Sequence, residues 1–314
     1  MHSIITKGTM NNNKIMNPTI CPHTLEDIQS CKDITLEEVR RDYQNLINFD
    51  ALTNPKKFSG NPTLYFYQHR VLLNCKREGT KKKPGMTLKE IYDKPEEIQK
   101  LWDETTKRNR REKDPLCSAT DMFECYRINR GAIVFFKSST AKYVYNLFNA
   151  TSVLDPTAGW GGRMLGASSL GIRYTGFDTN INLKSGYDRM IEDLNLNNVE
   201  MIYEDCLKVD FSNLIYDLVL TSPPYINMEL YEGMPPFESD YKFYNEFLIP
   251  LMDKCYKYLQ PGGAMCFNIS PTMFKKLCYR NPDCTIDLRQ QLGKEFKTKS
   301  QDYIYVWKKP AVCV

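Results

Sequence analysis

The sequence predicts an α/β fold: a mostly parallel sheet with helices on both faces, preceded by a mainly helical region. Three observations carry this. From about Gly131 onward, short β-prone runs alternate with helical runs, the order that builds parallel sheets. Several of those runs end on an acid or a hydroxyl followed by a turn, and open parallel sheets bind ligands at such carboxyl ends. Before Gly131 the chain shows capping boxes and helical spacing, with no comparable alternation. The organisation expected is a helical, basic region over residues 1–130 and an α/β domain over 131–314.

Residues 1–20 are polar and Asn-rich. Thr24 with Asp27 resembles a capping box, and Thr35 with Glu38 is the usual form, opening a helix over Leu36–Ile47. Thr87 with Glu90 opens another, which Pro95 is expected to interrupt or end. A helix over Glu96–Lys107 follows on Ile98, Leu101 and Trp102. Ala132–Phe136 reads as a short strand or extended entry. Helices are then expected over Thr140–Phe148, Gly162–Leu170, Leu183–Leu194 and Asn245–Leu259. Strands are expected over Thr151–Leu154, Tyr174–Phe177, Val199–Tyr203, Tyr216–Thr221, Ala264–Ile269 and Tyr303–Trp307.

Composition narrows the class. The chain has 314 residues, 42% apolar and 25% charged, enough to build a core. Mean hydropathy is -0.49, and no apolar run approaches the length needed to cross a bilayer. The first residues, MHSIITKGTMNNNK, lack an apolar h-region, so a cytoplasmic or nucleoid/nuclear location is expected, not secretion. The 11 cysteines are odd in number and irregularly spaced, which fits reduced thiols better than a disulfide framework. Cys21-x-His23 with Cys31 lacks a second ligand pair, so no metal is expected.

Charge is uneven. Residues 1–50 carry a net -2, residues 51–130 a net +7 and residues 131–314 a net -1. The basic excess includes Lys81, Lys82, Lys83, Arg108, Arg110 and Arg111, interleaved upstream with Tyr65, Tyr67 and His69. Basic side chains meet phosphates and aromatics stack on bases. The alternative is a solvated helix face with Tyr65 and Tyr67 in the core and His69 as a hydrogen-bonded structural residue.

Chemistry concentrates in three places. Val153-Leu-Asp-Pro-Thr-Ala-Gly-Trp-Gly-Gly-Arg163 ends a strand at Asp155 and passes through a Gly-containing loop into a helix. Gly159, Gly161 and Gly162 permit positive φ and close backbone approach. The acid ahead of the loop repels phosphate and suits a zwitterionic amino-acid ligand. The next strand ends at Asp178, where a carboxylate can accept both hydroxyls of a ribose. Together these suggest an adenosine-containing cofactor, with Glu204-Asp205 in reach of an adenine amine. Third, Asp217-Leu-Val-Leu-Thr leads into Ser222-Pro-Pro-Tyr225. Two prolines fix φ and remove two donors, so the local carbonyls are rigidly presented. An aromatic follows at once. Such a site holds a planar base bearing an amine: acceptors take the amine hydrogens and favour the pyramidal geometry that frees its lone pair.

In that order, Asp-Pro-x-x-Gly-x-Gly, strand-end Asp and Ser-Pro-Pro-Tyr, the sequence resembles the S-adenosylmethionine-dependent amino methyltransferases of DNA, which modify N4 of cytosine or N6 of adenine. The resemblance covers about residues 131–314. It implies a class I methyltransferase fold, S-adenosylmethionine as cofactor, and a flipped base as acceptor. It implies that Asp155, Pro156, Thr157, Gly159, Gly161, Asp178 and Asp205 contact the cofactor, and that Ser222, Pro223, Pro224 and Tyr225 form the catalytic tetrapeptide. Phe136-Lys-Ser-Ser-Thr-Ala141 resembles the segment lining the cofactor's methionine end, which brings in Phe136, Ser138 and Thr140. Ser at the first tetrapeptide position leans toward cytosine N4. Thr157 and Trp160-Gly-Gly-Arg163 depart from the usual loop; Trp160 packs either near the ligands or in the core.

The expected partner is DNA, with RNA as the alternative. A protein glutamine amide and a catalytically silent nucleic-acid-binding subunit of the same fold are the other readings. No Gly-x-Ser-x-Gly elbow and no Pro-Cys nucleophile occur, so direct methyl transfer is expected without a covalent enzyme intermediate.

Overall fold

The computed structural model describes residues 20–52, 60–77, 85–112, 117–130, 133–226, 229–230, 237–287 and 303–311. The helical region contains α1 (Leu25–Gln29), α2 (Leu36–Asn48), α3 (Asn61–Leu72), α4 (Leu88–Tyr92), α5 (Pro95–Glu112) and α6 (Ala119–Arg130), with the short strand β1 (Lys76–Arg77) after α3. Then come α7 (Ser138–Leu147), β2 (Ser152–Asp155), α8 (Gly162–Ser168), β3 (Arg173–Phe177), α9 (Lys184–Asp193), β4 (Val199–Ile202), β5 (Leu218–Thr221) and β6 (Glu229–Leu230). The chain ends with α10 (Asp240–Lys242), α11 (Ile249–Tyr258), β7 (Ala264–Ile269), α12 (Pro271–Lys276), β8 (Cys284–Asp287) and β9 (Tyr303–Lys308).

Local chemistry sets the helix starts. The capping boxes at Thr24, Thr35 and Thr87 all form, each hydroxyl accepting from the N3 amide while the N3 carboxylate accepts from the cap. Asp27 serves in this role as well as Glu does. Pro95 begins α5 rather than ending its predecessor, because the first helical turn needs no N–H from it. The expected helix over Asn245–Leu259 is broken in two. A π-helical turn, Phe243–Leu248, precedes α11, and the change of register falls beside Pro250, which has no amide to donate. Among the described residues, 133–137 join no helix and no ladder; Ala132, where the extended entry was expected to begin, lies outside them. Ile133 and Phe135 are buried there, so this segment packs as a wall, not as a ladder.

The main sheet has seven strands in the order β4-β3-β2-β5-β7-β9-β8. The strands from β4 to β7 are parallel, and β9 runs antiparallel between β7 and β8. This is the class I methyltransferase arrangement. Chain order reverses between β2 and β5, which makes their carboxyl ends the topological switch point.

The pleat divides the core. Val153, Leu218, Leu220, Cys266, Ile304 and Val306 face one apolar cluster; Leu154, Val219, Met265, Phe267, Tyr305 and Trp307 face the other. The first cluster continues through α7, α8 and α9 into Leu64, Leu101, Trp102, Phe123 and Ile28 of the helical region. The helical region is therefore built onto the β2–β4 half of the sheet. Buried Lys142 of α7 strengthens this seam, donating to the terminal carbonyls of α2 at Leu46 and Ile47, both at 2.8 Å. A second link is a small ladder: Lys76 pairs opposite Leu230 and Arg77 opposite Glu229, joining β1 to the segment that follows the Ser-Pro-Pro-Tyr run.

Candidate active site

The loop after β2 is held by a saturated carboxylate. Asp155 is fully buried and Arg163 is 4% exposed. Asp155 Oδ2 accepts from Arg163 Nε and from the Tyr174 hydroxyl, both at 2.6 Å. Its Oδ1 accepts from the Thr221 hydroxyl at 2.9 Å. A charge in so dry a site needs this number of partners. Burial and the Asp155 charge push the Tyr174 hydroxyl well above its usual pKa, so it remains a donor. The acid expected to meet a ligand ammonium instead fixes the loop through Arg163.

The glycines act mostly through packing. Gly161 has φ +95, and a Cβ there would meet Met190 and Tyr187 at 3.3 Å and Leu64 of α3 at 3.6 Å. A Cβ on Gly162 would lie 2.0 Å from the Phe136 carbonyl oxygen. These two glycines let α3, α9 and the Phe136 segment close on the back of the loop. Gly159, with φ +61, has no such neighbour nearer than 3.9 Å, and it is the glycine whose open side leaves room for a ligand. Trp160 is buried and tilted against Phe135 at 5.7 Å.

Asp178 follows β3 directly. Its Oδ2 accepts from the Gly159 amide at 2.7 Å and its Oδ1 from the Asn180 amide at 2.8 Å. An ionised carboxylate offers about four acceptor positions, so two remain. Burial raises the Asp178 carboxyl to about 6, against the lowering effect of those two amides. Asp178 and the loop are thus one unit, since Gly159 touches both. Asp205, beyond β4, instead accepts from the Leu207 amide at 3.0 Å and pairs with Lys208 at 3.4 Å, shaping its own turn.

Phe136 lies under the Arg163 guanidinium at 5.0 Å from its ring centre. Ser138 opens α7, whose N-terminus has no side-chain cap, and Thr140 sits in its first turn, half-buried. Among the described residues no group hydrogen-bonds the buried Ser138 hydroxyl, and none bonds the buried Nδ2 of Asn180. Orphaned polar atoms on two sides of one loop are what a polar ligand would satisfy.

The switch point joins the two motifs. Thr221 gives its hydrogen to Asp155, so the single Thr157 hydroxyl hydrogen is shared between Thr221 Oγ1 at 2.6 Å and the Ser222 carbonyl at 3.2 Å. Thr157, the departure from the usual loop, is therefore the stitch between them. Ser222 Oγ lies 3.3 Å from Asn268 Oδ1 on β7. Pro223 is buried; Pro224 and Tyr225 are half-buried, and Tyr225 packs against the second apolar cluster.

The basic residues are less gathered. Lys81, Lys82 and Lys83 lie outside the described residues, as do the side chains of Arg110 and Arg111. Arg108 is half-buried on α5 and acts electrostatically on Asp121 and Cys125 of α6, inside the helical region. Tyr65 packs on Phe135, and Tyr67 is buried with its hydroxyl on Asp193 at 3.0 Å. His69 is buried with Nε2 at 3.2 Å from the Ile28 carbonyl, the structural histidine expected. Among the described residues no cluster of His, Cys, Asp and Glu could hold a metal, and no helix is long and apolar enough to cross a membrane.

Arg163, Tyr174, Thr221 and Asn268 were not singled out from sequence. Tyr174 shares the β3 face of Gly176, which pairs with Asp155, a register that only the structure shows. Asn268 had a signal only in hindsight, as a polar residue inside the apolar run of β7.

Residues 216–313, which include the Ser-Pro-Pro-Tyr run, match the N6/N4 methyltransferase family, described as DNA methylase. A tRNA (guanine(10)-N2)-dimethyltransferase of Methanothermobacter thermautotrophicus is 28% identical over 114 residues. That stretch is 36% of this chain, and the chain spans 31% of the length of that relative. Among solved structures, an RNA methyltransferase from Salinibacter ruber in complex with S-adenosyl-L-homocysteine superposes with a TM-score of 0.38 at 18% identity, over 58% of this chain and 97% of the other. An rRNA methylase from Streptococcus thermophilus gives 0.38 at 13% identity, over 57% and 99%.

Proposed function

We propose that this chain is an S-adenosylmethionine-dependent methyltransferase acting on an exocyclic amine of a nucleic-acid base. The observation that carries the reading is the hydrogen-bonded meeting of the β2 loop with Ser222 through Thr157 and Thr221 at the switch point. It ties the loop read as the cofactor's to the acceptor-rich, aromatic-flanked run read as the base's, which supports a shared site. The match of residues 216–313 to the DNA methylase family supports it.

The residues fit the cofactor. Asp178 has acceptor positions left for the ribose hydroxyls. The uncapped N-terminus of α7, with Phe136, Ser138 and Thr140, suits the methionine carboxylate and its stem. Asp155, Pro156, Thr157, Gly159 and Gly161 form the loop beside it, with Asp155 acting through Arg163. Asp205 would stand at the adenine side. When bound, S-adenosylmethionine supplies a methyl on a sulfonium: its S–C bond breaks with the electron pair left on sulfur, the amine nitrogen forms the new bond, and the amine's surplus proton leaves to solvent.

The tetrapeptide prepares the acceptor. Ser222 Oγ and the carbonyls fixed by Pro223 and Pro224 accept the amine hydrogens, and the Tyr225 ring stacks on the base. A base in a duplex reaches this pocket only when flipped out. DNA is the substrate favoured by the family match, and cytosine N4 is favoured over adenine N6 because Ser opens the tetrapeptide. RNA is the second reading, favoured by the likeness to the tRNA methyltransferase, whose acceptor is also an exocyclic base amine. The division near residue 130 has a functional sense: β1 places the start of the Lys76–Lys83 tract against the segment beyond Tyr225. Lys81, Lys82 and Lys83, with Arg110 and Arg111, would meet phosphates, with Arg108 bracing the helical region.

Methyl-tritiated S-adenosylmethionine offered together with DNA, RNA and glutamine peptides tests the reading. Label in DNA is expected. Label only in peptide would overturn it, and label only in RNA would select the second reading.

A further inference from the structure

Ser222 carries one hydrogen and two lone pairs on its hydroxyl. Where the hydrogen points decides whether the group helps or obstructs an amine, which brings its own hydrogens. Oγ lies 3.3 Å from Oδ1 of Asn268 and 3.5 Å from the Asn268 carbonyl oxygen. Both are acceptors without hydrogens, and both belong to one residue. The contacts are at the long end of the hydrogen-bonding range, as catalytic contacts without substrate often are.

The amide itself is oriented. Asn268 Nδ2 donates to the Tyr303 carbonyl at 3.4 Å, across the β7–β9 ladder. Turned over, the amide would set its oxygen against the Tyr303 carbonyl oxygen and its NH2 toward Ser222. The neighbouring strand therefore selects the orientation in which Oδ1 faces Ser222. Asn268 is 6% exposed, and low local polarity strengthens a bond of this kind. Among the described residues no group donates to Ser222 Oγ.

We propose that Asn268 is the positioning residue that turns the Ser222 hydroxyl into an acceptor facing the substrate amine. The inference rests on the amino-methyltransferase reading above. With its hydrogen drawn to Asn268, Ser222 presents lone pairs to the pocket. An amine hydrogen then meets a lone pair, and the positive charge that grows on nitrogen during transfer meets a fixed dipole. Without Asn268 the hydroxyl can point its hydrogen at the amine, and the contact becomes repulsive for part of the time.

The test is a double-mutant cycle on the full chain with Asn268→Leu, Ser222→Ala and the pair. Leucine keeps the branching at Cγ and lacks the acceptor. Methyl transfer to mixed-sequence DNA and RNA oligonucleotides is measured at saturating cofactor. Binding of the same oligonucleotides with S-adenosylhomocysteine present gives a readout free of turnover. Asn268→Leu should slow transfer roughly tenfold or more and leave cofactor affinity unchanged. In the Ser222→Ala background it should cost almost nothing further, in rate and in oligonucleotide binding. Asn268→Asp keeps an oxygen in the Oδ1 position and, in its protonated form, a hydrogen toward the Tyr303 carbonyl; below the pKa of that buried acid it should restore most of the rate, and it covers the case in which the leucine variant fails to fold. Additive losses, or an aspartate variant that folds and is as slow as Ser222→Ala, would overturn the proposal while the reaction stands. A wild-type protein that methylates no nucleic acid would overturn the reading beneath it, and the proposal with it.

Discussion

Asp155→Asn separates two roles that the sequence cannot distinguish. In the structure the Asp155 carboxylate neutralises Arg163 inside the core and accepts from Tyr174 and Thr221. Asparagine keeps one oxygen, loses the charge and turns an NH2 toward groups that are themselves donors. The guanidinium of Arg163 stays charged, since it does not deprotonate in proteins. Removing one partner of a buried ion pair costs about 3–5 kcal/mol. At roughly 2–3 °C of melting temperature per kcal/mol for a domain of this size, the loss is about 6–15 °C. Urea unfolding and thermal melts without cofactor measure it directly. Replacing both partners with apolar residues, Asp155→Leu with Arg163→Met, should recover much of the loss, because no unpaired charge remains. If Asp155→Asn melts within a degree or two of wild type while cofactor affinity collapses, the carboxylate faces the cofactor. The description of the loop as an internally held unit would then be wrong.

Four further outcomes are expected. Asp178→Asn should weaken cofactor binding by about tenfold or more, the worth of one hydrogen bond to a charged acceptor, read by calorimetry. Its raised carboxyl pKa also fixes a sign. The ionised form is disfavoured in the free protein, so the stability that protonated Asp178 contributes is lost as pH rises from its unfolded value near 4 through about 6. Ribose hydroxyls favour the ionised form, so cofactor affinity should rise between pH 5 and pH 7 with release of a proton; a flat profile would refute this. Tyr225→Ala should reduce turnover strongly while cofactor affinity survives, and equal loss of both would contradict its place on the base. Lys81, Lys82 and Lys83 changed together to Glu should weaken nucleic-acid binding and flatten its salt dependence by roughly two to three units of slope; an unchanged slope would put the tract away from phosphates.

The alternation of strands and helices beyond residue 131 was readable because each buried strand is short, apolar and closed by a polar residue. The strand ends that matter, Asp155, Asp178 and Ser222, stand where that pattern puts them. The helix starts at Thr24, Thr35 and Thr87 were readable for a similar reason, since a capping box is a purely local device. What the sequence hid was mostly nonlocal. Nothing near Asn61–Leu72 announces that Leu64 backs the glycine loop or that Tyr67 bonds Asp193. The Gly-Gly pair at 161–162 reads equally well as a ligand loop and as a packing demand. The packing demand shows only in three dimensions, with the Phe136 carbonyl 2.0 Å from where a Cβ would sit on Gly162. The role of Arg163 was invisible because its partner lies eight residues away on another element. The register break ahead of α11 could have been anticipated from Pro250, which interrupts an otherwise continuous helical run.

The most direct measurement is the chemical position of the transferred methyl. DNA and RNA are incubated with labelled S-adenosylmethionine, digested to nucleosides and resolved by mass spectrometry. The account predicts label on an exocyclic nitrogen, N4-methylcytosine first, with N6-methyladenine or an N2-methylated guanine also consistent with an acceptor-lined amine pocket. Label on a ring carbon or a ribose oxygen, or none in any nucleoside while the cofactor binds, would contradict it.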